Sequence, residues 1–370
     1  MLYFDHNATS PLIPAAREAW LAAAERFLGN PSSPHRLGAR ADAALTEARE
    51  KLAAWLGCAP GAIVWTGGAT ESNNAALHHA ALADAGEAWI SAIEHPCVLE
   101  SARRHFPGRH RAIPANASGV VELDWLAQEL ARKRPALVAV MAANNETGVL
   151  QPWRAVLALC REHGVPFLCD AAQWVGKLPA AGLGACDFVS GCAHKFGGPQ
   201  GVGFLKVPAK FHALSVGGPQ EEGRRAGTEN VAGVLAMLAA LEQRARGESA
   251  ERLARRAEFE AALRLALPGV QILGQAADRL WNTVSAVMPA VADCRQRWVV
   301  KLDKLGFAVS TGSACASGKE QPSHVLRAMD IPPEAAARVL RFSAGWETSA
   351  ADWSALLAGL RRAFTELSAA

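Results

Sequence analysis

Apolar runs and helical periods alternate over the first two-thirds of the chain. Residues 62–65, 88–93, 137–142, 166–169, 188–190 and 202–206 are short runs rich in Val, Ile, Leu, Phe and Ala, closed by Gly, Pro or polar residues. Such runs fit strands buried on both faces. Between them, residues 40–56 and 156–163 repeat apolar positions at helical spacing, and the first stops at Gly57. Alternation of this kind predicts an α/β fold with a mostly parallel sheet covered by helices, whose ligands collect at the carboxyl ends of the strands. After Asn230 the pattern changes. Residues 231–265 predict a long Ala/Leu/Arg-rich helix broken near Gly247, followed by short strands at 283–288 and 307–310 and by helices starting at Ser323 and Ala350. This predicts a smaller α+β C-terminal domain. The expected division is a large domain at 13–250 and a small one formed by 1–12 with 251–370.

Composition narrows the function classes. At 370 residues the chain can bury a substantial core, and its net charge of +3 is too small to argue for nucleic acid or an anionic membrane. No apolar run approaches the roughly 18 residues of a membrane span. The opening Met1-Leu2-Tyr3-Phe4-Asp5-His6-Asn7 lacks the basic and apolar regions of a secretory signal, so a cytoplasmic location is expected. Eight cysteines occur at irregular spacing without a Cys-x-x-Cys pair, which speaks against a metal site and for core packing.

Cys315 is the exception. It sits in Thr-Gly-Ser-Ala-Cys-Ala-Ser-Gly, residues 311–318, where nothing can anchor a core, so the segment reads as a mobile arm carrying a nucleophile. Upstream, Lys195 lies between His194 and a Phe-Gly-Gly-Pro turn, just past a strand. Asp170 ends another strand 25 positions earlier. A lysine and an acidic group at one sheet edge suggest pyridoxal phosphate, which needs a lysine amine and an acidic partner for its ring nitrogen; the bland alternative is a surface ion pair. Residues 66–74 run from a strand through Gly67-Gly68 into a helix, a pattern that suits an anion as well as a plainly capped helix. His95, just past a strand, could stack on a flat ring and move protons, or be a structural histidine. Asn145, in Asn-Asn-Glu-Thr-Gly, supplies amide donors at the same edge, in a segment that as a lone motif reads as a turn. Arg341, in an apolar run, suits a substrate carboxylate or an interdomain ion pair.

Taken in order, these segments resemble the cysteine desulfurases, within the class V aminotransferase group of fold-type I pyridoxal-phosphate enzymes. The likeness runs from Phe4-Asp5-His6-Asn7-Ala8-Thr9 through 29–33, 68–74, Glu94-His95, 144–148, 170–173 and His194-Lys195. It continues through 223–230, Gly312-Ser313-Ala314-Cys315 and Arg341-Phe342-Ser343. The spacing from Cys315 to 322–327 resembles the subgroup with the longer cysteine loop. The resemblance implies that Lys195 is the Schiff-base lysine and that Asp170 pairs with the ring nitrogen. Gln173 would bond the ring hydroxyl oxygen, and His95 would stack on the ring. Ala69, Thr70, Cys192 and His194 would hold the phosphate, with Thr228 reaching the phosphate of a neighbouring subunit in a homodimer. Asn145, Arg341 and the backbone at Asn7 and Ala8 would bind the substrate carboxylate. Cys315, with His95 as its base, would take sulfur from L-cysteine as a persulfide, release L-alanine and pass the sulfur to an acceptor protein for iron–sulfur cluster assembly or thiolation. Members usually have serine where this chain has Cys192, and a thiol is the weaker donor. The same fold also admits a selenocysteine lyase or another class V enzyme.

Overall fold

The computed structural model describes residues 1–245, 250–291, 294–312 and 323–368. Cys315 therefore lies outside the described residues. The chain opens with strand β1 (Leu2–Tyr3) and helices α1 (Pro14–Arg26) and α2 (Arg36–Leu56). Helix α2 starts where the His35 ring accepts the Gly38 N–H at 3.2 Å and ends at Gly57, whose φ of 76° turns the chain out of the helix.

Next come β2 (Ile63–Thr66), α3 (Ala69–Ala83), β3 (Ala88–Ser91), α4 (Pro96–His105), β4 (His110–Ile113), α5 (Leu123–Leu130), β5 (Leu137–Ala139), α6 (Trp153–Glu162), β6 (Phe167–Asp170), β7 (Phe188–Cys192) and β8 (Gly203–Lys206). They form a seven-stranded sheet ordered β2-β8-β7-β6-β5-β3-β4, with β8 antiparallel to both its neighbours and every other pairing parallel. Strands β2, β3, β5, β6 and β7 are buried at every position, as their apolar runs require when helices cover both faces. Strand β4 carries no such run: it is a sheet edge with His110, Arg111 and Ala112 exposed, the composition that blunts an edge.

The remaining elements are α7 (Val231–Ala245), α8 (Ala250–Ala266), β9 (Gln271–Ile272), β10 (Thr283–Val287), α9 (Cys294–Lys304), β11 (Phe307–Ala308), α10 (His324–Ala328), α11 (Pro333–Ala336), β12 (Val339–Ser343) and α12 (Ala350–Ser368). The helical stretch expected over 231–265 is two helices: α7 packs on α1 and α2, and α8 packs on α12 and β10. Strands β12, β10 and β9 make an antiparallel sheet, and β1 pairs in parallel with β11. The N-terminal residues thus join the second layer, and Phe4 is buried in one core with Trp298, Phe342 and Trp353.

Candidate active site

The carboxyl ends of β2, β3, β6 and β7 converge on a cavity of about 1210 Å3, closed on the far side by β12 and the chain around Ser323. It is lined by Asn7, Ala8, Ala69, Thr70, His95, Asn145, Asp170, Gln173, Cys192, His194, Lys195 and Arg341 together. Of the candidates read from the sequence, Thr228 does not line it and is exposed. Residues 312 and 323, which flank the stretch containing Cys315, are both tied to the cavity wall. The Gly312 carbonyl accepts from Arg341 at 3.1 Å, and the Ser323 hydroxyl donates to Glu146 Oε2 at 2.6 Å.

Lys195 leaves β7 through a short 3-10 turn (Ala193–Lys195), and its Nζ donates to the carbonyls of Asn7 and Ala8, each at 2.8 Å. Asp170 is the last residue of β6. Its Oδ1 accepts the Ala172 N–H at 2.9 Å and its Oδ2 accepts from Asn73 Nδ2 at 2.7 Å, so the carboxylate is pinned in one orientation. Beneath it lies Glu94, fully buried. Burial, and then the charge of Asp170, push the Glu94 pKa well above its ordinary value. Its Oε1 accepts the Met141 N–H, and its Oε2 has no partner among the described residues. The neutral form of Glu94 is thereby favoured.

His95 caps α4: its Nδ1 accepts the Cys97 N–H at 3.2 Å. Burial lowers its pKa, Lys195 and His324 lower it further, and Asp170 opposes them. A neutral ring with Nδ1 engaged as acceptor carries its proton on Nε2. His95 lines the cavity, and Cys315, toward which it is expected to serve as a base, lies outside the described residues.

At the other end of the cavity, α3 begins after Gly68 with no side-chain cap, which leaves the N–H groups of Thr70 and Glu71 at the cavity rim beyond that of Ala69. The approach is close: a Cβ on Gly203 would come within 2.8 Å of the Gly68 Cα. Cys192 is buried and takes a bond from the Ala69 N–H. Burial raises its pKa to about 11, against the pull of Lys195. His194 Nδ1 lies 3.2 Å from the Thr9 hydroxyl, and burial followed by Lys195 lowers its pKa to about 4, so the ring is neutral near pH 7.

Arg341, 1% exposed, donates to Asp5 Oδ1 at 2.6 Å and to the carbonyls of Asn145 at 2.8 Å and Gly312 at 3.1 Å, while its Nε has no partner among the described residues. Both sequence alternatives for Arg341, ion pair and cavity group, therefore coexist. The Asn7 and Ala8 backbones differ from expectation. Their N–H groups are spent on Ser343 Oγ and on the Asp5 carbonyl, and their carbonyls face Lys195. A carboxylate has no backbone donor left to meet there. The amide of Gln173 donates to the Asn7 carbonyl at 2.9 Å. Asn73, Glu94 and Lys177 received no role from the sequence. Asn73 lies one turn into a helix and Glu94 beside the more conspicuous His95, and only burial without a charged partner marks Lys177.

Comparisons with known proteins agree with this arrangement. The profile of the aminotransferase class-V family matches residues 2–356. A cysteine desulfurase of Klebsiella pneumoniae is 39% identical over 360 residues, spanning 92% of this chain and 87% of the relative. The cysteine desulfurase IscS of Dictyoglomus turgidum is 37% identical, spanning 99% and 95%. Among solved structures, a NifS-like protein from Rickettsia africae superposes with a TM-score of 0.88 at 28% identity over 99% of each chain. SspA in complex with cysteine superposes at 0.81 with 29% identity, covering 93% of this chain and 98% of that one.

Proposed function

Since the chain belongs to the class-V aminotransferases and, within them, to the cysteine desulfurases, we propose that it takes sulfur from L-cysteine, leaving L-alanine and a persulfide on Cys315. The observation that carries this reading is the convergence of the Lys195 amine, the pinned Asp170 carboxylate and the buried Arg341 guanidinium on one cavity. Enzymes of this family use pyridoxal 5'-phosphate. The residues present fit it: a lysine amine, a fixed carboxylate, and an uncapped helix start beside Thr70, Cys192 and His194. When bound through Lys195, the cofactor withdraws electrons from the substrate carbon.

The chain's own residues do the rest. Asp170, pinned by Asn73 and the Ala172 N–H, would face the ring nitrogen. The first N–H groups of α3, with Thr70 and His194, would hold the phosphate. Arg341 and the Asn145 amide would orient the substrate carboxylate. Freed from its covalent link, the Lys195 amine, placed at the cavity by the carbonyls of Asn7 and Ala8, can take the substrate Cα proton. The Cys315 thiolate bonds to the substrate sulfur as the Cβ–S bond breaks, and the carbon fragment, once protonated, leaves as alanine. Lys195, which holds the proton taken from the substrate Cα, is a suitable source of that proton. We further propose a homodimer, supported by the exposure of Thr228 on a loop anchored away from the cavity. Its anchor is Glu221, paired with Arg49 at 2.8 and 2.9 Å. A cytoplasmic setting and a protein acceptor that feeds iron–sulfur assembly or thiolation complete the proposal, since a catalytic thiol needs reducing surroundings.

The test is alanine released from L-cysteine, with and without a thiol reductant, by the wild type and by Cys315→Ala. Reductant-stimulated alanine with matching sulfide, lost in the variant although pyridoxal phosphate still binds, supports the proposal. Alanine release indifferent to Cys315 would overturn it.

A further inference from the structure

Behind the cavity floor lies a second lysine that this chemistry leaves without a task. Lys177 is buried, and its Nζ donates to Asn7 Oδ1 at 2.8 Å and to Gln173 Oε1 at 2.5 Å. Both partners line the cavity and Lys177 does not. Among the described residues no carboxylate lies within ion-pair distance of it, and the cations that act on it are Lys195 and Arg341. Burial first, then those two cations, hold its pKa well below the usual lysine range, with Cys192 opposing them. Two of its N–H bonds are used by these two acceptors.

The consequence is directional. The oxygen and nitrogen of a side-chain amide are alike in shape, so their orientation is set by what they meet. Asn7 Nδ2 meets Thr283 Oγ1 at 2.9 Å and the Asn145 carbonyl at 3.2 Å, and Gln173 Nε2 meets the Asn7 carbonyl at 2.9 Å, so Asn7 Oδ1 and Gln173 Oε1 face the N–H bonds of Lys177; Asn282 Nδ2 also donates to Asn7 Oδ1 at 3.1 Å. The Asn7 carbonyl also receives Lys195 Nζ. A space-filling residue would impose no such order, and a methionine would fill the same volume.

We propose that Lys177 is a positioning residue for the reaction: by fixing the amides of Asn7 and Gln173 it holds the Gln173 donor and the Asn7 carbonyl where the cofactor and Lys195 need them. The inference rests on the pyridoxal-phosphate reading, which is tested separately by whether the wild type binds that cofactor. The experiment is a double-mutant cycle on pyridoxal-phosphate affinity, measured by absorbance titration of full-length apoprotein without L-cysteine, using Lys177→Met, Gln173→Leu and the double variant.

We expect each single variant to weaken binding about tenfold or more, the loss typical of a buried polar pair. The double variant should lie within about threefold of the weaker single, because both changes cut one chain of contacts. In turnover, kcat of Lys177→Met should fall about tenfold or more while KM for L-cysteine moves less than about threefold. Wild-type affinity in folded Lys177→Met, or losses that multiply in the double variant, would overturn the proposal. If Lys177→Met does not fold, Lys177→Gln, which keeps a polar head but removes the amine and shortens the stem, enters the same cycle and is judged by the same two criteria.

Discussion

The two walls of the cavity hold their cations in opposite ways. On the seven-stranded side, the Lys195 amine rests on the carbonyls of Asn7 and Ala8. On the three-stranded side, Arg341 is paired with the Asp5 carboxylate and two carbonyls while almost fully buried. Neutral acceptors let an amine exchange protons, whereas a carboxylate partner fixes a charge that arginine never gives up. One wall is built to change state and the other to stay as it is. The difference assigns chemistry to the sheet that ends in Lys195 and recognition to the sheet that carries Arg341.

The sharpest way to break that contrast is Lys195→Ala. Turnover should fall by on the order of 10^3-fold or more, and the visible band of the lysine-bound cofactor should vanish. A variant that keeps both would remove Lys195 from the chemistry. Arg341→Lys is milder. It keeps a charge but loses the forked donor set, so KM for L-cysteine should rise about tenfold while kcat changes little. If steady-state kinetics put the loss in kcat instead, the two walls would not divide the work as described.

The smallest effect concerns stability of the apoprotein. Burial lowers the pKa of His6, His79 and His194 to about 4. The unfolded chain takes up these protons near pH 6.5 and the folded one resists until about 4. Stability is therefore full above about pH 6.5 and declines as the pH falls toward 4, by up to about 1.4 kcal/mol per pH unit for each deeply buried histidine. Glu94 acts in the opposite sense, since its raised pKa makes the fold lose stability as the pH climbs above about 4.5. Urea unfolding between pH 7 and 4 should show the decline, and His6→Gln should flatten it. An unchanged slope would mean that His6 is protonated in the folded state.

Much of the cavity was legible because strand ends announce themselves. The apolar run of β6 stops at Asp170, and that of β7 stops just before His194 and Lys195, so topology alone gathers them at one edge. The edge strand β4 was not legible, since its His-Arg-Ala-Ile carries no apolar signal. Nor was the protonation pattern. Glu94, His95 and Lys177 owe their states to burial and to neighbours distant in sequence, such as the Met141 N–H on Glu94 and the Asn7 amide on Lys177. Asn7 itself read as a backbone contact for substrate. Its side chain instead joins Thr283 and Asn282 to Lys177, an arrangement that depends on contacts 170 to 276 residues apart.

The pairing of Asp5 with Arg341, and of the Asn7 N–H with Ser343, joins residues 336 positions apart. During synthesis, the segment that cradles Lys195 emerges first and waits for almost the whole chain before its partners exist. Contacts of such long sequence separation form late, because the loop they close is costly until other packing has brought its ends together. The seven-stranded sheet can assemble from its own neighbours well before that moment. Competence to bind the cofactor should therefore trail sheet formation, as a last event of maturation timed by the arrival of β12.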